Sequence, residues 1–301
     1  MAELKVALAA DMEWLGSAVS AAGGTVVDLD QAQALVWGRE PSAKLAELLA
    51  EHPGIRWVQL IEAGVEAHAK LLGDGRLWTS GKGQSAPAVA EHALLLLLAG
   101  FRNLKVKARA SSWGPVDGRT LYGKNVTIVG GGGIAQELVR LFSPFRVHVS
   151  VVRKQPVEMA GVDQVMPFSE LRRAVEGAEA VVVAGALTPE TRGAIDAGAL
   201  KAIGPQGWLV NVARGAWVVT DDLTTALRNH WIAGASIDVT DPEPLPDGHP
   251  LWAFDNCLIT PHSANPASTA EPAIRARVET NVRSFREGKA MTGLVNADLG
   301  Y

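Results

Sequence analysis

Apolar residues along the chain gather in short runs separated by Gly- and Pro-containing turns and by stretches with three- and four-residue apolar spacing, so strands and helices are expected in alternation. Runs at 5–9 (KVALA), 34–37 (ALVW) and 55–60 (IRWVQL), with a helical stretch at 43–50, predict a small α/β unit. From about residue 125 the rhythm becomes regular. Strand candidates fall at 126–130 (VTIVG), 147–152 (VHVSVV), 180–184 (AVVVA), 207–212 (GWLVNV), 233–238 (AGASID) and 257–260 (CLIT). Six strands alternating with helical segments imply a doubly wound parallel sheet.

Between the two units, residues 87–105 (PAVAEHALLLLLAGFRNLK) read as a buried interdomain helix opening at Pro87. Its apolar run, Ala93 to Phe101, is about half of what a membrane span needs. The turn-rich stretch 111–124 then carries the chain to the second sheet. In the last thirty residues Ile274, Val278, Val282 and Phe285 recur at helical spacing, and such a helix can pack back on the first unit and make it discontinuous.

Composition narrows the class. The chain has 301 residues, 48% hydrophobic and 20% charged, enough apolar material for two cores. The net charge of -4 comes without like-charged blocks, so neither nucleic acid nor an anionic membrane is an expected partner. Cys257 is the single cysteine, which excludes an internal disulfide and a cysteine-cluster metal site; no metal is expected. With no export signal at the N-terminus, a cytoplasmic setting is expected. Nine of the seventeen aromatic residues are Trp.

The sharpest local motif lies at 126–142, VTIVGGGGIAQELVRLF. Gly130, Gly132 and Ala135 match G-x-G-x-x-G/A, leaving a strand and entering a helix as a dinucleotide site requires. Gly130 permits the turn, Gly132 lets a pyrophosphate approach, and the helix start at Gly133 and Ile134 offers N–H groups to phosphate. An NAD site places a carboxylate about 20 residues on, to bind the ribose 2′-hydroxyl. Here that place holds Arg153 and Lys154, cations suited to a 2′-phosphate, so NADP(H) is expected over NAD(H).

Seven ordered motifs then carry a resemblance: QLIEAGVE (59–66), VAEHALLLLLA (89–99), GKNVTIVGGGGIA (123–135), LTPETRGAI (187–195), VNVARGA (210–216), IDVTDPEPLP (237–246) and ITPHSAN (259–265). Over nearly its whole length the chain resembles the D-isomer-specific 2-hydroxyacid dehydrogenases, most closely their glyoxylate/hydroxypyruvate reductase-like branch. The resemblance implies an α/β fold with a central doubly wound dinucleotide-binding (Rossmann) domain, residues 94–270. That domain would be inserted in a smaller flavodoxin-like substrate-binding domain, residues 1–93 and 271–301, with the active site in the cleft. It implies a catalytic trio of Arg214, Glu243 and His262, and a homodimer. Backbone N–H groups around Ala63, Gly64 and Val65 would bind the substrate carboxylate together with Arg214. Asp238 would meet the nicotinamide carboxamide, and Pro189 and Thr191 would flank the adenosine side.

The chemistry asks for such a trio. Reduction of a 2-oxo acid needs hydride at the carbonyl carbon, a proton for its oxygen and a cation for its carboxylate. His262 with a carboxylate neighbour can donate the proton, since Glu243 would favour the imidazolium, and Arg214 offers a planar fork for the carboxylate. Some positions depart from the family pattern. Val219 and Thr220 stand where R-G-x-x-V-D would put Asp, Arg146 replaces a common Gly, and Glu62 beside the anion loop is expected to turn away or to read a polar or cationic substrate tail. Trp37, Trp217 and Trp252 are the tryptophans placed to read substrate shape. The expected activity is NADPH-dependent reduction of a small 2-oxo acid such as glyoxylate or hydroxypyruvate to its D-2-hydroxy acid. The alternatives are a phosphoglycerate-type biosynthetic dehydrogenase and a dinucleotide-sensing binding protein of the same fold.

Overall fold

Twelve strands among the described residues, 3–300 of this computed structural model, sort into two all-parallel sheets. The first sheet holds β1 (Leu4–Leu8), β2 (Gly24–Val26), β3 (Ala34–Trp37), β4 (Trp57–Leu60) and β5 (Leu77–Thr79). Its order, β2-β1-β3-β4-β5, is the flavodoxin-like one. The second holds β6 (Asn125–Val129), β7 (His148–Arg153), β8 (Gln164–Pro167), β9 (Ala180–Val183), β10 (Trp208–Asn211), β11 (Gly234–Ile237) and β12 (Cys257–Ile259). Here the order is β12-β11-β10-β9-β6-β7-β8, which reverses between β6 and β9. That reversal is the point where doubly wound sheets bind ligands, outside the carboxyl ends of the strands.

Every position of β3, β4, β9, β10 and β11 is buried. Continuous apolar runs such as AVVV are what a parallel strand needs when helices cover both faces. Three strands absent from the sequence reading, β2, β5 and β8, are all sheet edges. Edge strands are short and mix polar with apolar positions, so QVMP in β8 carries little periodic signal.

The chain divides into two compact units, one running to Ser85 and resuming at Pro266, the other spanning Ala86–Asn265. The boundary expected at 93/94 falls inside the helix Ala86–Phe101. That helix belongs whole to the second unit, because Val89, Ala90, Ala93, Leu96 and Leu97 all enter its core. The boundary expected at 270/271 falls inside the helix Ala267–Glu287. Val278 and Val282 of this helix are fully buried in the core of the first unit, and Ile274 and Phe285 pack against it. The first unit is thus built from two separate stretches of the chain. Among the described residues, no helix is long and apolar enough to cross a membrane.

Candidate active site

The glycine loop opens at the end of β6. Gly130 has φ +116°, and a Cβ there would lie 2.5 Å from the backbone of Gly185, which follows β9. Only glycine fits that left-handed, close-packed position. Around Gly132 a Cβ would meet nothing within 4 Å, and no side chain caps the helix Gly133–Phe142 that begins next to it. Open space before an uncapped helix start is a fit for the pyrophosphate of a dinucleotide, whose negative charge the helix N–H groups favour.

The two expected 2′-phosphate cations differ in placement. Arg153 lies along the loop, with its Nε 2.9 Å from where a Cβ of Gly131 would be. Lys154 is exposed and pairs with Glu190 at 3.5 Å. Arg153 is thus the cation set against the glycines. Pro189 is exposed, whereas Thr191 folds its own loop: its hydroxyl accepts from the Thr188 N–H at 2.8 Å and reaches the Ala186 carbonyl at 3.1 Å.

Arg214, Glu243 and His262 follow β10, β11 and β12, three adjacent strands whose last residues Asn211, Ile237 and Ile259 lie in register. Parallel strands in register release their loops on the same edge, which is how three distant stretches of sequence converge. The Arg214 loop touches the Glu243 loop directly: a Cβ on Gly215 would lie 1.9 Å from the Thr240 carbonyl carbon, and the Thr220 hydroxyl donates to the Asp241 carbonyl at 2.6 Å. Nη1 of Arg214 donates to the Ala213 carbonyl at 2.9 Å.

His262 and Glu243 are joined at 2.6 Å between Nδ1 and Oε1. A carboxylate can only accept there, so Nδ1 carries the hydrogen. The second Glu243 oxygen accepts from the Thr240 N–H at 3.3 Å, which fixes the carboxylate in its turn. Asp238 is 2% exposed and surrounded by donors: the Thr260 hydroxyl at 2.6 Å and the N–H groups of Ser263 and Ala264 at 2.9 and 3.1 Å. Its carboxylate therefore holds the loop that carries His262.

In the first unit, Ala63, Gly64 and Val65 follow β4 at the carboxyl edge of that sheet. Among the described residues their N–H groups donate to no backbone carbonyl. Val65 is buried and anchors the loop, and the Gly81 N–H donates to the Glu62 carbonyl at 2.7 Å behind it. Arg277 braces that support from the C-terminal helix, donating to the carbonyls of Ser80 and Lys82 at 2.8 and 3.0 Å. Glu62 turns to Arg39, 3.8 Å away.

Residues 92–264 match the domain described as D-isomer specific 2-hydroxyacid dehydrogenase, NAD binding domain. The chain belongs to this family. A glyoxylate/hydroxypyruvate reductase A from Serratia proteamaculans is 29% identical over 282 residues, covering 89% of this chain and 87% of that protein. A glyoxylate reductase from Thermococcus onnurineus is 34% identical over 227 residues, covering 70% and 67%. Among solved structures, a D-isomer specific 2-hydroxyacid dehydrogenase from Xanthobacter autotrophicus, in complex with NADPH and MES, superposes with a TM-score of 0.87 at 28% identity and full coverage of both chains. The protein is accordingly an oxidoreductase acting on CH–OH groups with a nicotinamide dinucleotide.

Two features of the 2-hydroxyacid dehydrogenase site escaped the sequence. Trp217 is 2% exposed and donates to the Gly185 carbonyl at 3.0 Å, so it ties the Arg214 loop to the floor of the glycine turn. Trp37 is likewise buried, 1% exposed, in the first unit's core. Of the three tryptophans expected to read substrate, these two are structural, and Trp252 alone is exposed. His92, taken with its neighbours, is the second feature.

Proposed function

We propose that this dehydrogenase reduces small 2-oxo acids such as glyoxylate or hydroxypyruvate to their D-2-hydroxy acids with NADPH. The observation that carries this reading is the His262–Glu243 pair at 2.6 Å beside the Arg214 loop. When bound, the reduced nicotinamide supplies the hydride. Glu243 accepts from Nδ1–H and so supports the imidazolium, from which Nε2 gives its proton to the carbonyl oxygen, leaving a neutral ring still bonded to Glu243 through Nδ1–H. Arg214 would take the substrate carboxylate through its guanidinium fork. In the first unit, the N–H groups of Ala63, Gly64 and Val65 would serve as anion donors. Gly130, Gly132, Gly133 and Ile134 would hold the pyrophosphate. Asp238 would meet the carboxamide with its remaining acceptor capacity, and Pro189 and Thr191 would flank the adenosine.

The NADP preference rests on Arg153 lying against the glycine loop where an NAD site would hold a carboxylate. The relatives named glyoxylate or glyoxylate/hydroxypyruvate reductases, and the similar structure solved with NADPH, favour the same reading. We propose a homodimer as well, supported by the exposure of Leu95, Leu104, Val106, Trp113 and Val116 within one stretch of the second unit. The test is NADPH and NADH oxidation across 2-oxo acids of graded length and charge. Turnover greatest with NADPH and a short 2-oxo acid is expected; tight NADPH binding without turnover on any member would favour a dinucleotide sensor.

A further inference from the structure

We infer that His92 is a positioning residue for His262, acting through Thr260 and Asp238. The inference rests on the proton-donor role proposed for His262. Leucines dominate the helix Ala86–Phe101 around His92, which is 15% exposed at its side chain and therefore needs partners. Its Nε2 lies 3.1 Å from the Thr260 hydroxyl and 3.3 Å from Asp238 Oδ1. The Thr260 proton is committed to Asp238 at 2.6 Å, so the Thr260 oxygen accepts and His92 Nε2–H donates. The result is a short relay of donors from His92 through Thr260 to the Asp238 carboxylate.

The architecture delivers His92 there. Ser236, on β11, donates to the Leu96 carbonyl at 3.0 Å and pins the helix to that strand. Asp238 comes two residues after Ser236 and continues the same face, while His92 comes one helical turn before Leu96, so both pairs meet along one line. Beyond this contact, residues 260–264 wrap around Asp238, with the His262 N–H donating to the Asp238 carbonyl at 2.7 Å. His262 itself has φ +51°. A non-glycine residue in the left-handed region is strained and persists only where its surroundings hold it. The wrap supplies that hold, and His92 fixes the Thr260 end of it.

The test compares His92→Leu, His92→Gln, Thr260→Val and the double variant His92→Leu/Thr260→Val in the full chain, with rates counted per NADPH-binding site. His92→Leu is expected to lower kcat by about tenfold or more, because small misplacements of a reacting group are costly. The KM and the NADPH Kd should change by less than about threefold, the signature of an interaction felt in the transition state. His92→Gln, whose Nε2 can stand near the imidazole position, should recover most of the rate. The double variant should be no slower than the slower single variant, since both cut one relay. A folded His92→Leu protein within about twofold of the wild-type kcat, a Gln variant no better than Leu, or effects that multiply would each overturn the inference. Should His92→Leu not fold, Thr260→Ser against Thr260→Val decides: rate kept by Ser and lost by Val supports the relay, and equal rates refute it. Absence of wild-type turnover on every 2-oxo acid would be a failure of the proposed function instead.

Discussion

Arg153 is the residue on which the proposed NADP preference rests. It ends β7 at the place where a carboxylate would accept from a ribose 2′-hydroxyl and repel a 2′-phosphate. Its chain lies along the glycine loop, whereas Lys154 is drawn to Glu190. Arg153→Asp should therefore shift the ratio of kcat/KM from NADPH towards NADH by about tenfold or more, as expected when a charge-assisted phosphate contact is replaced by repulsion. Lys154→Ala should change the same ratio much less. Steady-state kinetics with both cofactors checks this, and a wild type that already prefers NADH would contradict the assignment.

At the scale of elements, the loops that carry the site are secured by the caps and turns around them. Asp196 caps the helix Ala197–Ile203, accepting from the Ala199 N–H at 2.8 Å while Arg172 donates to its other oxygen at 2.8 Å. The Ala199 hydrogen bond, aided by Arg172 against the cost of partial burial, holds the carboxyl below its usual range. A carboxyl depressed in the folded state stabilises fully above its unfolded pKa of about 4, and that contribution is lost as pH falls through the lower folded value. Asp196→Ala should cost about 1 kcal/mol at neutral pH, by thermal or urea unfolding. The gap to wild type should close at strongly acid pH; a gap constant down to pH of about 3 would show that the charged cap is not its source.

Much of this layer could be read in the sequence because burial on both faces makes central strands continuously apolar. ALVW and AVVV mark β3 and β9 almost to the residue. Of the edge strands, β12 is legible as CLIT, whereas β2, β5 and β8 are not, being only 3, 3 and 4 residues long with polar residues mixed in. In the site, G-x-G-x-x-A announces a dinucleotide loop through its spacing, whereas Arg214, Glu243 and His262 stand out only through the family resemblance. By contrast, nothing in the motif order says that Trp217 reaches Gly185 or that His92 reaches Thr260. Such contacts are made by elements distant in sequence, and only register between strands brings them together.

For the whole molecule, the proposed homodimer rests on the stretch from Leu104 to Val116, where Leu104, Val106, Trp113 and Val116 are exposed. Trp113 and Val116 are each 99% exposed, an arrangement a second copy of the chain would cover. Light scattering after gel filtration should give twice the chain mass, and Trp113→Asp should move it towards the monomer. A monomer throughout the micromolar range would contradict the homodimer.

The proposed proton-donor role of His262 is decided by NADPH oxidation with glyoxylate or hydroxypyruvate by the wild type and by His262→Ala, alongside NADPH binding to both. A loss in kcat of about 10²–10⁴-fold with NADPH binding retained is expected, the range attributed to a positioned general acid. An unchanged rate in His262→Ala would contradict it.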